Sequence, residues 1–523
     1  MLRLQSAVME KRRLAQAAAI SAAMALLSLL PYALAASSAP QPTEFAGFLL
    51  NPIDGFSYLA KMRQGAAGSW GFELPYAAEP GPPAFIFTFY LALGQFTRVV
   101  GWPPIVTYHA ARVLAVFLMG IAGYEFFRQA IVEERPRWLA YGLFTLGSGL
   151  GWIAGPLGLR SSDLFIPESI GWTAGLANPH FPLAFALVAA SASLALRTHI
   201  GLRQAGLGAL LGLALGLVQP LAAISLLAGL GAWSLWVFWR PAEVAGGRRW
   251  PPASPVLAGL AVGAGPWLAY DVWLVASHPV LNAWNQQNQT PSPSPLAYLM
   301  GFGLILVFAV AGALRSNQTA KPSHRLMIAW VVTSALLLYA PFNLQRRLVL
   351  GMILPLAGLA GVGLDRWLQA GRWPRLGYLV LILSLPSNLL VTAAGIVQSA
   401  AGDPSLLFQP GERAAYDWLA DNVAAGSVVL AGPRTGNRLP AYAPVRVLYG
   451  HPFETPEAQA RRRMVEAFFS SQPASPAAAA GSLGADFLLI GPEEAELGLT
   501  ADMVGSEPLF QVGSYNLFEA SSP

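Results

Sequence analysis

Cysteine is absent from the 523 residues of the chain. A protein without cysteine cannot form disulfides, use a thiolate nucleophile or bind a metal through sulfur. Any bound metal ion would therefore depend on histidine and carboxylate ligands. Charged residues are also scarce, at 11% of the chain, whereas 54% of the residues are hydrophobic. Since about a quarter of the residues of a soluble domain are charged, this composition predicts a membrane protein.

Long hydrophobic segments are, by contrast, abundant. A helix needs about 20 predominantly apolar residues to cross a bilayer, and eleven segments between residues 14 and 397 fit this requirement. The first segment could instead be a signal peptide cleaved after Ala33-Leu34-Ala35, but its length of about 22 residues favours an uncleaved anchor. Residues 202–238 also fit a re-entrant hairpin. The predicted spans are residues 14–36, 104–127, 138–156, 179–197, 204–219, 221–239, 255–275, 296–314, 326–342, 348–364 and 376–397.

The basic residues predict which side of the membrane each loop faces, because cytoplasmic loops carry an excess of Lys and Arg. With a cytoplasmic N-terminus, 18 basic residues lie on the cytoplasmic side and seven on the outer side. The excess of basic residues on the cytoplasmic side therefore accounts for most of the positive net charge, and no nucleic-acid partner is expected. The outer residues are Lys61, Arg63, Arg98, Arg112, Arg160, Arg346 and Arg347; the inner residues are Arg3, Lys11, Arg12, Arg13, Arg128, Arg135, Arg137, Arg197, Arg203, Arg240, Arg248, Arg249, Arg315, Lys321, Arg325, Arg366, Arg372 and Arg375.

Two regions are predicted to lie outside the membrane on the outer side. The first outer loop, residues 37–103 of a transmembrane domain that covers residues 1–400, contains a proline-led apolar stretch at 82–101 that predicts an interfacial helix. Residues 403–523 have the composition of a small soluble α/β domain. Its predicted elements are helices 412–424 and 456–469, strands 427–431, 445–449 and 487–490, a Pro/Ala-rich linker at 472–480 and a hairpin that turns at Gly513-Ser514.

The cytoplasmic loops lack the motifs of nucleotide-binding proteins. They contain no GxxxxGK followed by Ser or Thr, no GxGxxG after a predicted strand and no DxD sequence. A nucleotide cofactor or an intracellular nucleotide-sugar substrate is therefore not expected.

Asp54 is the leading candidate for chemistry in the outer loops. It lies in the stretch NPIDGFSYLAKMRQG, residues 51–65, together with Tyr58. A carboxylate at the mouth of a membrane cleft can accept a proton from a hydroxyl group or help to hold a divalent cation. The pair Asp54-Gly55 is, however, also typical of an ordinary turn.

Four basic residues of the outer loops are candidates for binding an anionic lipid. Lys61 and Arg63 follow Asp54 in the first loop, and Arg346 and Arg347 lie in a later loop. Their side chains fit either the head groups of the surrounding lipid or the phosphate of a bound lipid substrate.

Other polar side chains form a second group of candidates. Asp163 and Glu168 are five residues apart, which is too loose a spacing to define a metal site. His180 fits either a cleft residue or a plain helix cap. His109 and Arg112 lie within one turn of a predicted span near its outer end, where ionisable residues are often paired or functional.

In the soluble domain, polar residues follow two predicted strands. Arg434 comes after one strand, and His451 and Glu454 come after the next. The carboxyl ends of strands are where α/β folds usually place ligands, although loop packing is the commoner reason for such residues.

The order of these features resembles that of the GT-C class of integral-membrane glycosyltransferases, which includes protein O-mannosyltransferases, aminoarabinose transferases and oligosaccharyltransferases. The order of helices, loops and soluble domain is similar over most of the chain, whereas similar sequence motifs are confined to about the first 130 residues. It rests on an inside-start helix, an early acidic residue in NPIDGFSYLAKMRQG, the proline-led PGPPAFIFTFYLALG, the helix YHAARVLAVFLMGIAGYEFFR, a second acidic outer loop and a final soluble domain.

The resemblance implies that a sugar is transferred from a polyprenyl-phosphate donor to a lipid, glycan or protein acceptor at the outer face of the cytoplasmic membrane. It implies that Asp54 is a general base or a metal ligand, and that Asp163 or Glu168 is the second acidic residue. Many members of the class carry two adjacent acidic residues in the first loop, whereas Gly55 follows Asp54 here, so the need for a divalent cation is in doubt. The residues that would bind the donor phosphate are Lys61, Arg63, Arg346 and Arg347.

Three other functions stay open. A transporter of lipid-linked sugars would more typically place ionisable residues near the middle of the membrane. An export scaffold would need no catalytic carboxylate, and a relative of the glycosyltransferases could keep the fold without catalysis. The concentration of ionisable residues on one side of the membrane favours an enzyme.

Overall fold

The computed structural model describes residues 2–197, 201–239, 254–314, 321–370 and 374–520, and most of them are helical. The helices are α1 (Leu2–Leu27), α2 (Leu30–Ser38), α3 (Pro52–Ala66), α4 (Thr88–Val100), α5 (Pro104–Ala130), α6 (Glu134–Leu146), α7 (Gly151–Ala154), α8 (Ser162–Phe165), α9 (Gly171–Ala177), α10 (His180–Ala195), α11 (Leu202–Val218), α12 (Pro220–Trp239), α13 (Ser254–Ser277), α14 (Pro279–Gln287), α15 (Pro295–Ala313), α16 (Pro322–Leu337), α17 (Ile353–Gln369), α18 (Pro374–Leu383), α19 (Pro386–Ala400), α20 (Glu412–Asn422), α21 (Pro433–Tyr442), α22 (Ala458–Ser471), α23 (Pro476–Ser482) and α24 (Pro492–Leu497).

The strands and the short 3₁₀ turns complete the described secondary structure. The strands are β1 (Glu44–Phe45), β2 (Leu407–Phe408), β3 (Val428–Leu430), β4 (Arg446–Val447), β5 (Phe487–Ile490), β6 (Phe510–Val512) and β7 (Tyr515–Glu519). The 3₁₀ turns are Gly155–Leu157, Pro167–Ser169, Gln345–Val349 and Ala501–Met503.

Six helical stretches in the described part of the chain are long and apolar enough to cross a membrane. The other five predicted spans fall on shorter helices of 13–17 residues, namely α6, α10, α11, α16 and α17. The prediction of an α-helical polytopic membrane protein is therefore confirmed. The six stretches are Val8–Ser38, Pro104–Ala130, Pro220–Trp239, Ser254–Ser277, Pro295–Ala313 and Tyr378–Ala400.

The predicted orientation rests partly on residues that the structure does not describe. Arg240, Arg248, Arg249, Arg315 and Arg372, which the positive-inside rule counts on the cytoplasmic side, lie outside the described residues. The orientation therefore stays a prediction.

The chain divides into two compact units. Unit 1 comprises Met1–Pro31, Ala110–Tyr270 and Thr290–Ala394, and unit 2 comprises Tyr32–His109, Asp271–Gln289 and Gly395–Pro523.

In unit 1, α17 packs against both α6 and α15. The backbones of α15 and α17 approach closely at two glycines. A Cβ atom at Gly312 would lie 2.0 Å from the carbonyl oxygen of Leu359, and one at Gly363 would lie 2.1 Å from that of Phe308. Small residues are the usual means by which membrane helices pack closely, so these glycines hold the two helices together.

Unit 2 contains a five-stranded sheet with the strand order β4-β3-β5-β7-β6. Strands β4, β3 and β5 are parallel, whereas β7 runs antiparallel to β5 and to β6. Successive side chains point to opposite faces of a strand. Val429 therefore packs in the core cluster that contains Phe56 and Tyr416, whereas its neighbours Val428 and Leu430 pack in the cluster that contains Phe469.

The sequence predicted the strands and the final hairpin of this sheet correctly, but three assignments were wrong or missing. Asp54-Gly55 is not an isolated turn, because both residues belong to the first turn of α3. The Pro/Ala-rich segment predicted as a linker contributes to helix α23. Helix α21, which follows β3, was not predicted at all. The predicted helix at 82–101 is present as α4, and its place at the membrane surface stays a prediction.

Candidate functional site

Asp54 occupies the N-terminal turn of α3, two residues after Pro52, which starts the helix. A carboxylate at this position interacts favourably with the positive end of the helix dipole. The helix is held against α4 by close backbone contact, since a Cβ atom at Gly65 would lie 2.2 Å from the carbonyl oxygen of Leu91. About two fifths of the Asp54 side chain (39%) remains exposed, so a substrate can reach it.

His451 binds Asp54 from the loop that follows β4. The imidazole is buried, and its Nδ1 accepts hydrogen bonds from the backbone N–H groups of Phe453 (3.1 Å) and Glu454 (3.0 Å). A neutral imidazole with an acceptor at Nδ1 carries its proton on Nε2. Nε2 lies 3.2 Å from Oδ1 of Asp54. The His451 side chain therefore donates a hydrogen bond to the carboxylate and fixes its orientation.

A buried ion pair lies beside this contact. Nζ of Lys61 donates to both carboxylate oxygens of Glu454, at 2.8 and 3.0 Å, and to Oγ of Ser57. Ser57 in turn donates to Glu454 at 2.7 Å. The ring centroids of Phe87 and Phe72 lie 4.4 and 5.2 Å from the ammonium. Burial by itself raises the pKa of the Glu454 carboxyl, but the Lys61 charge and the hydrogen bonds from Lys61 and Ser57 bring this pKa below its usual value.

Helix α3 carries three further candidate site residues, Tyr58, Lys61 and Arg63. Lys61 uses its three N–H groups on Glu454 and Ser57, so the geometry does not favour a role in binding a donor phosphate. Arg63 donates from Nε to the carbonyl oxygen of Pro440 (2.8 Å) and lines a cavity of about 280 Å³. The ring of Tyr58 is half-buried and stacks on the ring of Tyr90, with centroids 4.1 Å apart.

In unit 1, Asp163 connects two stretches of loop. Its Oδ2 accepts hydrogen bonds from the backbone N–H groups of Gly149 (2.9 Å) and Gly151 (3.2 Å), and its Oδ1 accepts one from the Ser161 hydroxyl. The side chain is buried, and burial raises the pKa of its carboxyl despite these hydrogen bonds. Asp163 is thus placed to hold the loop in shape.

Glu168 lies in a different environment from Asp163, although the two are close in sequence. It is buried in the turn Pro167–Ser169, which contacts the turn Gln345–Val349 that carries Arg346 and Arg347. The backbone N–H of Arg346 donates to the carbonyl oxygen of Thr290 at 3.1 Å. Its side-chain Nε is buried and has no hydrogen-bond partner among the residues that the structure describes. Unit 1 thus brings the turn that carries Glu168 into contact with the turn that carries Arg346 and Arg347.

The remaining candidates make contacts that stabilise the helices. Nε2 of His109 donates to the carbonyl oxygen of Gly47 at 3.0 Å. Arg112 is fully buried, and its guanidinium donates to the carbonyl oxygen of Gly175 (2.8 Å) and to Ser28. His180 is the first residue of α10 and is buried, so it does not occupy the cap position.

The described residues do not supply the ligands of a resident metal ion. Within these residues, no group of three or more His, Asp or Glu side chains is arranged so that it could hold a metal ion, and the chain has no cysteine. Divalent cations in proteins are typically held by several nitrogen or oxygen ligands. The divalent cation that the family resemblance allows would therefore need ligands beyond those that the described side chains bring together.

The sequence did not predict that His451 and Glu454 bind to α3. It placed both residues after a strand, in the segment GHPFET, but their partners Asp54 and Lys61 lie 397 and 393 residues earlier in the chain. The only sequence signal was the position of the segment at the carboxyl end of a strand, which also fits loop packing.

Comparison with known proteins finds similarity only at the level of structure. No protein-family model matches the chain, and no curated protein matches its sequence. The archaeal oligosaccharyltransferase AglB from Archaeoglobus fulgidus, in complex with an inhibitory peptide and a dolichol-phosphate, superposes with a TM-score of 0.51 at 13% identity, over 92% of this chain and 69% of AglB. The Archaeoglobus fulgidus oligosaccharyltransferase in complex with Zn and sulfate gives a TM-score of 0.53 at 14% identity, over 90% of this chain and 67% of that one.

A third solved structure is similar over nearly the whole length of both chains. ArnT from Cupriavidus metallidurans, bound to undecaprenyl phosphate, has a TM-score of 0.50 at 13% identity, and the match covers 94% of this chain and 96% of ArnT. At such low identities the similarity establishes the fold alone. The protein is thus a polytopic membrane protein with the fold of the GT-C class of glycosyltransferases.

Proposed function

We propose that this protein is a membrane glycosyltransferase that transfers a sugar from a polyprenyl-phosphate donor to a hydroxyl group of a lipid, glycan or protein acceptor. In this proposal the N-terminus lies in the cytoplasm, and transfer takes place on the outer side of the membrane. The observation that carries the proposal is the exposed carboxylate of Asp54, held at the start of α3 by the buried His451. The lipid phosphates bound to AglB and ArnT support a lipid-phosphate donor.

Asp54 acts as the general base of the proposed reaction. It takes the proton of the acceptor hydroxyl as the acceptor oxygen forms a bond to the anomeric carbon of the sugar. The bond between the anomeric carbon and the phosphate oxygen breaks, and its electron pair leaves with the polyprenyl phosphate. This single displacement inverts the anomeric configuration. The proposed step uses neither a nucleotide cofactor nor a divalent cation.

Arg346 is the best candidate for binding the donor phosphate. Its buried Nε–H has no partner among the described residues, and a planar guanidinium can bind two phosphate oxygens at once. Arg347 and Arg63 are further candidates for this contact, whereas Lys61 is already paired with Glu454. Glu168, close to the turn that carries Arg346, is a better candidate for the second acidic residue than Asp163, which holds its own loop.

The proposed function is tested by transfer of labelled sugar from a panel of polyprenyl-phosphate hexoses and pentoses. Membranes that contain the protein should form labelled product from at least one donor, and membranes without it should not. Failure with every donor would contradict the proposal and favour a transporter, an export scaffold or a relative that has lost catalysis.

Replacing Arg346 by Ala should raise the KM for the donor about 10- to 100-fold, because hydrogen bonds to a charged group are worth about 1.5–3 kcal/mol. The measurement is transfer as a function of donor concentration. Arg160→Ala, which removes an exposed arginine of another loop of unit 1, should leave KM unchanged. An unchanged KM in the Arg346 variant would remove this residue from the donor site.

His451 is a positioning residue in this proposal, because it acts through Asp54. Replacing it by Ala should lower kcat about 10- to 100-fold with little change in the KM for the donor, as is typical for the loss of a group that orients a reactive side chain. His451→Gln keeps an N–H donor and should retain more activity. The pH dependence of kcat should also shift in the Ala variant. Equal activity and the same pH profile in all three proteins would contradict the positioning role.

A further inference from the structure

A cavity of about 270 Å³ lies within unit 2 at the carboxyl ends of its parallel strands. Three of the residues that line it come shortly after these strands in the chain: Arg434 after β3, Gly450 after β4 and Glu493 after β5. Parallel strands of α/β folds bind their ligands at this edge. We call this cavity the carboxyl-edge pocket. Pro52 and Ile53, the two residues before Asp54, also line it.

Arg434 differs from the other two arginines of the carboxyl-edge pocket. Arg438 is buried and forms an ion pair with Glu412 at 2.8 Å, and Arg462 forms one with Glu466 at 2.8 Å. The half-buried guanidinium of Arg434 has no hydrogen bond or ion pair with any residue that the structure describes. An arginine in a cavity without an acidic partner is a ready ligand for a carboxylate or a phosphate.

Glu493 forms no described ion pair with the guanidinium of Arg434; its carboxylate caps helix α21 instead. One oxygen accepts from the backbone N–H of Arg434 at 2.9 Å, and the other accepts from the backbone N–H and the hydroxyl of Thr435 at 2.7 and 2.9 Å. The N-terminus of α21 is therefore already occupied by an acidic side chain. Recognition of an anion in the pocket depends on the Arg434 side chain and not on the helix dipole.

The rest of the lining suits a sugar ring. Phe56 and Tyr449 contribute aromatic surface, and Asn437, whose amide donates to the carbonyl oxygen of Ile53 at 3.2 Å, contributes a fixed polar group. The volume is below the roughly 300–1,000 Å³ of sites for drug-sized ligands, so it fits a single sugar residue better than a larger glycan. An apolar wall with a few placed polar groups is the usual composition of such a site.

We propose that the carboxyl-edge pocket binds an acidic sugar residue of the acceptor through its carboxylate or phosphate group on Arg434. This inference rests on the proposed function, because it names the class of acceptor. Binding the acidic sugar beside Pro52 and Ile53 places the acceptor next to the segment of chain that carries Asp54.

Direct binding to the full-length protein in detergent tests the inference. The probes are glucuronate, glucose 6-phosphate and glucose, measured by calorimetry at low salt. At least one of the two acidic sugars should bind 10-fold or more tightly than glucose, since a charge-assisted hydrogen bond is worth about 1.5–3 kcal/mol. Preference for glucuronate would identify a carboxylate as the recognised group, and preference for glucose 6-phosphate would identify a phosphate.

Replacing Arg434 by Gln should abolish the preference for the acidic sugar, whereas Arg463→Gln, which changes an exposed arginine of α22, should keep it. Equal binding of glucose, no binding of either acidic sugar, or a preference that survives in the Arg434 variant would each overturn the inference. The melting temperature of the Arg434 variant should match that of the wild type, because the Arg434 side chain makes no hydrogen bond or ion pair with the described residues.

The two proposals fail in different ways. If the inference is wrong, acidic sugars do not bind selectively although the wild type transfers sugar from its donor. If the proposed function is wrong, no donor supports transfer although the acidic sugars bind with the expected dependence on Arg434.

Discussion

Replacing Asp54 by Asn should reduce sugar transfer by about 100- to 10,000-fold, the usual contribution of a general base. Asparagine has nearly the same shape as aspartate, and its amide oxygen can still accept the hydrogen bond from Nε2 of His451. The variant therefore keeps the geometry of the site but loses the group that accepts the proton. The rate is measured as labelled product formed per amount of protein, with both proteins at saturating donor.

A matched control separates loss of the base from loss of a negative charge in unit 2. Asp502→Asn changes an exposed aspartate in the turn Ala501–Met503 and should transfer sugar at the wild-type rate. Asp54→Glu retains a carboxylate but moves it by one methylene group, so its rate should lie between those of the wild type and Asp54→Asn. Transfer by Asp54→Asn at the wild-type rate would show that another group takes the proton.

Replacing Lys61 by Met should lower the free energy of unfolding by about 3–5 kcal/mol, because it leaves the carboxylate of Glu454 buried without its counter-ion. Glu454→Gln should destabilise the protein in the same way, since it leaves the ammonium of Lys61 buried. A double variant that combines Lys61→Met with Glu454→Leu should recover most of the loss. Buried ion pairs can often be replaced by apolar side chains of similar volume without net cost.

Denaturant unfolding of the detergent-solubilised protein, followed by tryptophan fluorescence, measures these differences. The ion pair between Arg413 and Asp417 provides the control, because both side chains are about half exposed and such pairs contribute about 0–1 kcal/mol. Asp417→Ala, which breaks this pair and leaves Arg413 on the ring of Tyr442, should therefore have a small effect. A Lys61→Met variant as stable as Asp417→Ala would show that the buried pair does not stabilise unit 2.

The effect of Lys61→Met should also depend on pH. Burial is the largest single influence and raises the pKa of Glu454, but the electrostatic interactions with Lys61 and His451 and the hydrogen bonds from Lys61 and Ser57 together hold this pKa below its ordinary value of 4.5. The pair therefore contributes stability that is fully present above that pH and is lost as the pH falls through the lowered value. In Lys61→Met, acid protonates the unpaired carboxylate of Glu454 and so removes the free-energy cost of burying its charge. The difference in stability between the wild type and Lys61→Met should therefore narrow as the pH is lowered from 7 towards 4.

Hydrophobic patterning predicted most of the helices and strands because it is a local property. Each of the eleven predicted spans overlaps one or more helices, and the strands Val428–Leu430 and Phe487–Ile490 lie within or at their predicted positions. Predictions from the sequence were wrong where local turn signals favour one structure and packing against distant segments favours another. The stretch from Asn51 to Gly55 contains Asn-Pro and Asp-Gly, both typical of turns, yet packing of the following residues against α4 and α21 makes this segment part of helix α3.

By itself, the sequence determined that the chain is a polytopic membrane protein with a small α/β region, and it singled out Asp54 as the carboxylate most worth testing. These results follow from composition, hydropathy and local order, which do not require knowledge of contacts. Only the tertiary structure decided that His451 binds Asp54, that Lys61 is paired with Glu454, and that Arg434 lies in a cavity without an acidic partner among the described residues. The partner of a charged side chain depends on which distant segments the fold brings together, and residues almost 400 positions apart carry no local signal of that contact.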